Sequence, residues 1–109
     1  RIELRALGIW GTNPFGLVGT EAAYNHGEPW LEQVIDYIWG NLEYLDNYLK
    51  SRLPSMKLIP IEGTYLAWVD CRDLGLGGEA LKSLMMDDAR VYLDTGHIFG
   101  PEGEGFVRM

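Results

Sequence analysis

From Leu31 onward, apolar residues fall at Val34, Ile35, Ile38, Leu42, Leu45 and Leu49. Only a 3.6-residue period explains this run of three- and four-residue steps. The spacing predicts one amphipathic helix from Pro29 to near Arg52, ended by Pro54. At 1.5 Å per residue such a helix is about 35 Å long. That is long for a compact domain of 109 residues. Trp30, Tyr37 and Tyr44 recur at seven-residue spacing away from the main stripe, so a second face of the helix is expected to meet protein.

The flanking segments are read from punctuation and period. Thr12-Asn13-Pro14 is a helix-start signal: Asn caps free N–H groups, and Pro suits a first turn that needs no donor. A helix over 14–26 follows, with Phe15, Leu17, Val18, Ala22, Ala23 and Tyr24 giving it a mostly apolar, buried surface and Gly27 a left-handed stop. After Pro54 the period changes, and 57–61 and 64–71 read as two strands joined by a tight turn at Glu62-Gly63. In the second strand Leu66 and Trp68 point one way and Tyr65, Ala67, Val69 and Cys71 the other, so it is expected to lie centrally. A short helix after Gly78, with Glu79 near its N-terminus, should bury Ala80, Leu81, Leu84 and Met85. Strands at 90–93 and from Phe106 to the final Met109 complete the pattern, the last expected to leave an unpaired edge. The sum is one α+β domain over 1–109, a small mixed sheet of three to four strands packed with helices, and the abrupt end in a strand reads as a piece of a longer protein.

Composition narrows the partners. A chain 47% hydrophobic and 23% charged is globular, and at this size roughly two thirds of its unfolded surface can be buried. A net charge of −7 argues against nucleic acid and acidic membrane surfaces. No apolar run approaches the roughly 20 residues of a membrane span, and Arg1 opens no signal-peptide layout; a cytoplasmic location is expected. Cys71 is alone, which leaves no disulfide framework and no cysteine zinc site. It reads as core packing, with no identifiable base to make it a nucleophile. His26 and His97 lack ligand neighbours at metal spacing and read as surface or turn residues. The Gly-rich segment 96–105 lacks the lysine and Ser/Thr of a phosphate loop, and Glu102 and Glu104 would repel phosphate. Glu21, Glu28, Glu32 and Asp36 read as a solvated helical face.

Four motifs in order carry a resemblance: Asn13-Pro14-Phe15-Gly16-Leu17-Val18-Gly19-Thr20-Glu21-Ala22-Ala23-Tyr24, His26-Gly27-Glu28-Pro29-Trp30-Leu31, Glu62-Gly63-Thr64-Tyr65-Leu66-Ala67-Trp68-Val69-Asp70-Cys71-Arg72, and Phe99-Gly100-Pro101-Glu102-Gly103-Glu104-Gly105-Phe106-Val107-Arg108. From about Asn13 to Met109 the chain resembles the C-terminal part of class I/II pyridoxal-phosphate-dependent aminotransferases, in particular their cystathionine β-lyase, or C-S lyase, branch. The resemblance implies the small C-terminal domain of a fold type I enzyme, with the long helix linking it to a large cofactor domain. It implies pyridoxal 5'-phosphate as cofactor in the longer enzyme, a homodimer, and a small amino-acid substrate. There the cofactor ring acts as an electron sink for the carbanion left by loss of the α-proton, and a lyase then expels a thiolate from the β-carbon. The cofactor lysine would lie upstream of Arg1 and the carboxylate-binding arginine beyond Met109, so no catalytic residue and no cofactor ligand falls in this chain; Lys50, Lys57 and Lys82 sit in the wrong context. What the resemblance does imply for this chain is pocket wall: Phe15, Tyr65 and Phe99 as substrate-binding residues. The alternatives are an aminotransferase of the same cofactor class and a non-enzymatic α+β interaction module.

Overall fold

In the computed structural model residues 13–109 are described; Thr12 lies outside them. They fall in two units divided within the long helix, one ending at Tyr37 and the other running Ile38–Met109. Helix α1 (Pro14–His26) begins as its sequence dictates: Asn13 is extended, and its Oδ1 accepts the Gly16 N–H at 2.8 Å. Gly27, expected to be left-handed, is not. At φ −84°, ψ −9° it donates to the Ala23 carbonyl and accepts from the Leu31 N–H at 2.9 Å, because Pro29 sits in the next first turn and needs no donor there. Helix α2 (Glu28–Arg52) therefore follows after a single residue. Nor is α1 buried, since no residue of it is, and Phe15 and Tyr24 are 90% and 88% exposed. Its apolar residues are spread round the helix rather than gathered in a stripe, and no described residue covers them. Trp30, Tyr37 and Tyr44, the expected second face of α2, are likewise exposed.

The second unit holds the core. Leu42 and Leu49 of α2 are buried, and Leu49 packs with Val69, Cys71, Leu81, Met85 and Val107. Strands β1 (Lys57–Leu58), β2 (Trp68–Asp70), β3 (Asp94–Thr95) and β4 (Phe106–Arg108) form a sheet of order β1-β2-β4-β3. Each pairing is antiparallel, so the sheet is not mixed. β2 is central, as expected. β4 is central too: it pairs with β2 and β3, and Ala67 and Met109 exchange two further bonds at 2.9 Å. The unpaired edge expected there belongs instead to β1 and β3, because sequence order does not reveal that the last strand inserts between two earlier ones.

Two strands are shorter than their β-favouring runs. β1 continues only as far as the Ile59 N–H bond to the Trp68 carbonyl, since Pro60 has no N–H to extend the ladder. The expected tight turn is thus a loop over 59–67, with Thr64 left-handed at φ 68°. Helix α3 (Gly78–Ser83) runs into a π turn over Leu84–Asp88, and Arg90 at φ 58° reverses the chain. This displaces the third strand from 90–93 to Asp94–Thr95 and leaves Tyr92 81% exposed. Leu81 and Met85 of this segment are buried and Leu84 half-buried, but Ala80, expected inside, faces solvent. No helix among the described residues is long and apolar enough to cross a membrane.

Candidate functional site

The pleat sorts the sheet residues onto two faces. Val69, Val107 and Thr95 turn to the core and are buried. Trp68 and Asp70 of β2, Phe106 and Arg108 of β4 and Asp94 of β3 share the other face, through the pairs Trp68↔Arg108, Asp70↔Phe106 and Asp94↔Arg108. Trp68 stacks on Phe106 with centroids 5.7 Å apart and meets Phe99 edge-on at 5.8 Å. The Arg108 guanidinium lies 4.4 Å from the Phe99 centroid and that of Arg72 4.8 Å from Phe106, within the range at which a cation is drawn to a ring face.

A carboxylate anchors each arginine. Asp94 Oδ2 accepts from Arg108 Nη2 at 2.6 Å and Nε at 3.2 Å. Asp70 accepts from Arg72 Nε at 2.9 Å, Nη2 at 2.7 Å and the backbone N–H at 3.0 Å. These bonds, led by the guanidinium contact, hold the Asp70 carboxyl down at about 2. Beside them Lys57 donates to Asp73 at 2.5 Å, a bond that raises the lysine's pKa.

Phe99 rides on the Gly-rich segment, which folds as two 3₁₀ turns, Gly96–Phe99 and Pro101–Gly103. The backbones of Gly96 and Gly103 touch so closely that a Cβ on either would collide with the other's carbonyl oxygen. Glu104 then accepts the Gly78 N–H at the start of α3. A side-chain carboxylate of this same segment thus takes up that backbone donor. His97 packs on Gly78 with Nε2 3.8 Å from Glu79 Oε1. No group of His, Cys, Asp and Glu suited to a metal ion occurs among the described residues.

Of the three expected pocket residues, only Phe99 joins this aromatic face, and it remains 50% exposed. Tyr65 lies in the loop between β1 and β2 and Phe15 in the first turn of α1, each largely exposed. Trp68, Asp94 and Arg108 were not singled out from the sequence. Alternation places Trp68 opposite Val69, but the pairing of Arg108 with Phe99 and Asp94 depends on a strand order that no local signal carries. A cavity of about 760 Å³ between α2 and residues 54–61, lined by Trp39, Leu42, Leu49, Met56 and Leu58 among others, contains none of the three.

The lysines do not fit a carbonyl cofactor. Schiff-base formation needs a lysine that gives up its proton, which burial or neighbouring cations promote. Lys50 is paired with Asp46 at 2.6 Å, Lys57 is pushed in the opposite direction by Asp73, and Lys82 is exposed on α3. Cys71 is fully buried, its Sγ 3.7 Å from the Val69 carbonyl oxygen, and burial raises its thiol to about 11, the opposite of an activated nucleophile.

No family profile matches the chain. Individual proteins do. It is 37% identical to cystathionine β-lyase PatB of Bacillus subtilis over 107 residues, 98% of this chain and 28% of that protein. It is 32% identical to the protein MalY of Escherichia coli over 94% of this chain and 26% of that protein. A pyridoxal-phosphate-bound putative aminotransferase from Clostridium difficile superposes with a TM-score of 0.87 at 39% identity, over 98% of this chain and 28% of that structure. Cystalysin from Treponema denticola, a pyridoxal 5'-phosphate protein, gives 0.86 at 32% identity, over 91% of this chain and 25% of that structure. The chain therefore spans about a quarter of the length of the relatives it matches. In fold and in sequence the chain is thus similar to a segment of cystathionine β-lyases and of pyridoxal-phosphate-bound proteins.

Proposed function

We propose that this chain is the small domain of a pyridoxal-phosphate-dependent C-S β-lyase, cleaving cystathionine or related cysteine S-conjugates to thiol, pyruvate and ammonia. The observation that carries this reading is likeness to cystathionine β-lyase PatB across nearly the whole chain. In this reading the catalytic lysine and the carboxylate-binding arginine belong to the remainder of the enzyme, which is a cytoplasmic homodimer of amino-acid metabolism. The chain's own contribution is wall: Phe15, Tyr65 and Phe99 border the substrate, and the tethered aromatic face keeps Phe99 in place. An aminotransferase is the second reading, favoured by the likeness to the Clostridium difficile protein.

The test is the complete enzyme supplied with cystathionine. Stoichiometric pyruvate without any keto acid supports the lyase; turnover only when a keto acid is added supports the aminotransferase. Neither reaction would leave an interaction module. The isolated 109-residue chain is expected to bind no cofactor. A near-visible absorbance band that borohydride fixes on Lys50, Lys57 or Lys82 would overturn that assignment.

A further inference from the structure

We propose that Thr64 is a positioning residue that aims the Tyr65 ring at the substrate, and that its left-handed backbone is kept for that purpose; this rests on the reading of Tyr65 as pocket wall. Thr64 has φ 68°. A β-branched side chain there crowds its own backbone, and the conformation persists only where the surrounding structure imposes it. Both ends of the loop are pinned. The Ile59 N–H donates to the Trp68 carbonyl, and Ala67 exchanges two bonds with Met109, all at 2.9 Å. Residues 60–66 must turn back within that fixed span, and Thr64 absorbs the reversal.

The strain does nothing for packing, since the Thr64 side chain is exposed. Gly63, which could take a left-handed φ without steric cost, lies one residue earlier and outside that region, and a Cβ on it would meet nothing within 4 Å. The permissive residue and the demanding position are adjacent but not matched. Folding alone would favour glycine or asparagine at position 64. What Thr64 achieves is directional: Leu66 is half-buried, while Tyr65 stands 70% exposed two residues before the Ala67 anchor. Once the anchors force it left-handed, threonine has few other backbone basins, whereas glycine would spread over several and let the ring swing. Exposed, uncompensated strain of this kind is characteristic of backbone held ready for a ligand. Thr64 is thereby assigned to substrate affinity and not to the bond-breaking step.

The experiment uses the complete enzyme with its cofactor and cystathionine as substrate. Thr64→Gly should raise KM roughly two- to tenfold, the range of one aromatic contact, with kcat moving by less. Its denaturant midpoint should stay level or rise, because relief of strain offsets glycine's greater freedom in the unfolded chain. A merely structural threonine would lower the midpoint instead. Thr64→Asn, which tolerates the left-handed region but restricts the backbone more than glycine does, should fall between wild type and Thr64→Gly in KM. If it is as impaired as Thr64→Gly, the hydroxyl itself touches substrate and the positioning role is wrong. Tyr65→Ala should raise KM at least as much as Thr64→Gly, and the double variant should be no worse than Tyr65→Ala alone, because both changes remove one arrangement. Lys82→Ala, on the exposed side of α3, is the control. If Tyr65→Ala raises KM and Thr64→Gly does not, or does so only with a lowered midpoint, the positioning role is wrong while the pocket reading stands. An ineffective Tyr65→Ala overturns both for this residue, and a wild-type enzyme that releases no pyruvate from cystathionine removes the lyase reading and this inference with it.

Discussion

Asp70 and Cys71 are neighbours in sequence that face opposite environments, and the pleat of β2 is the reason. Asp70 accepts three bonds from Arg72 and is held at about 2, below the ordinary 3.8. A carboxylate with a depressed folded pKa contributes stability above its unfolded pKa, and that contribution is lost as pH falls through the folded value. The denaturant midpoint of the chain should therefore decline between about pH 4 and pH 2, and Asp70→Asn should flatten that part of the profile. A wild-type profile that matches Asp70→Asn throughout would show that the Arg72 contact does not persist in solution. Cys71, fully buried and shifted up to about 11, should resist a thiol reagent at about pH 8 until denaturant is added; rapid labelling of the native chain would place it outside the core.

Among the elements, α3 shows best what the sequence could reveal. Leu81 is 1% exposed and touches the centre of the core, so Leu81→Ala should cost about 2–5 kcal/mol in chemical unfolding. A loss under about 1 kcal/mol would mean the site collapses around the cavity. Leu81 and Met85 were legible from helical spacing, as were the Asn13 cap and almost the full extent of α2, because these depend on near neighbours. Ala80 was misread because Leu81, one residue and about 100° further round the same helix, is the side chain turned to the core. The strand at 57–61 was overextended and that at 90–93 misplaced for equally local reasons, Pro60 and the left-handed Arg90, that propensity alone does not weigh. The aromatic face was the least legible part. Phe99 came from the resemblance, whereas Arg108 and Asp94 acquire meaning only when β4 is known to lie between β2 and β3.

At the scale of the molecule, exposed aromatic surface dominates the outlook for the isolated chain. Trp30, Tyr37 and Tyr44 are 67%, 72% and 72% exposed along one helix, and each large apolar side chain buried contributes roughly 1.5–3 kcal/mol. The charge of −7 is screened over about 8 Å at physiological salt and does not prevent such burial. Sedimentation equilibrium across a concentration series should show self-association, weakened by Trp30→Ser with Tyr37→Ser; a monomer at every concentration would mean this surface is not adhesive. The expected contribution of an open edge at β4 falls away, because β4 is paired on both sides. That same placement has a temporal side. β4 is the latest of the strands to leave the ribosome, yet β2 and β3 meet only through it. Until its residues emerge, the growing polypeptide presents β2 with one flank bare and Val69 without Val107 opposite it. Sheet closure must then wait for synthesis to pass Arg108, a late and long-range step of the kind that slows folding and exposes nascent chains to chaperones.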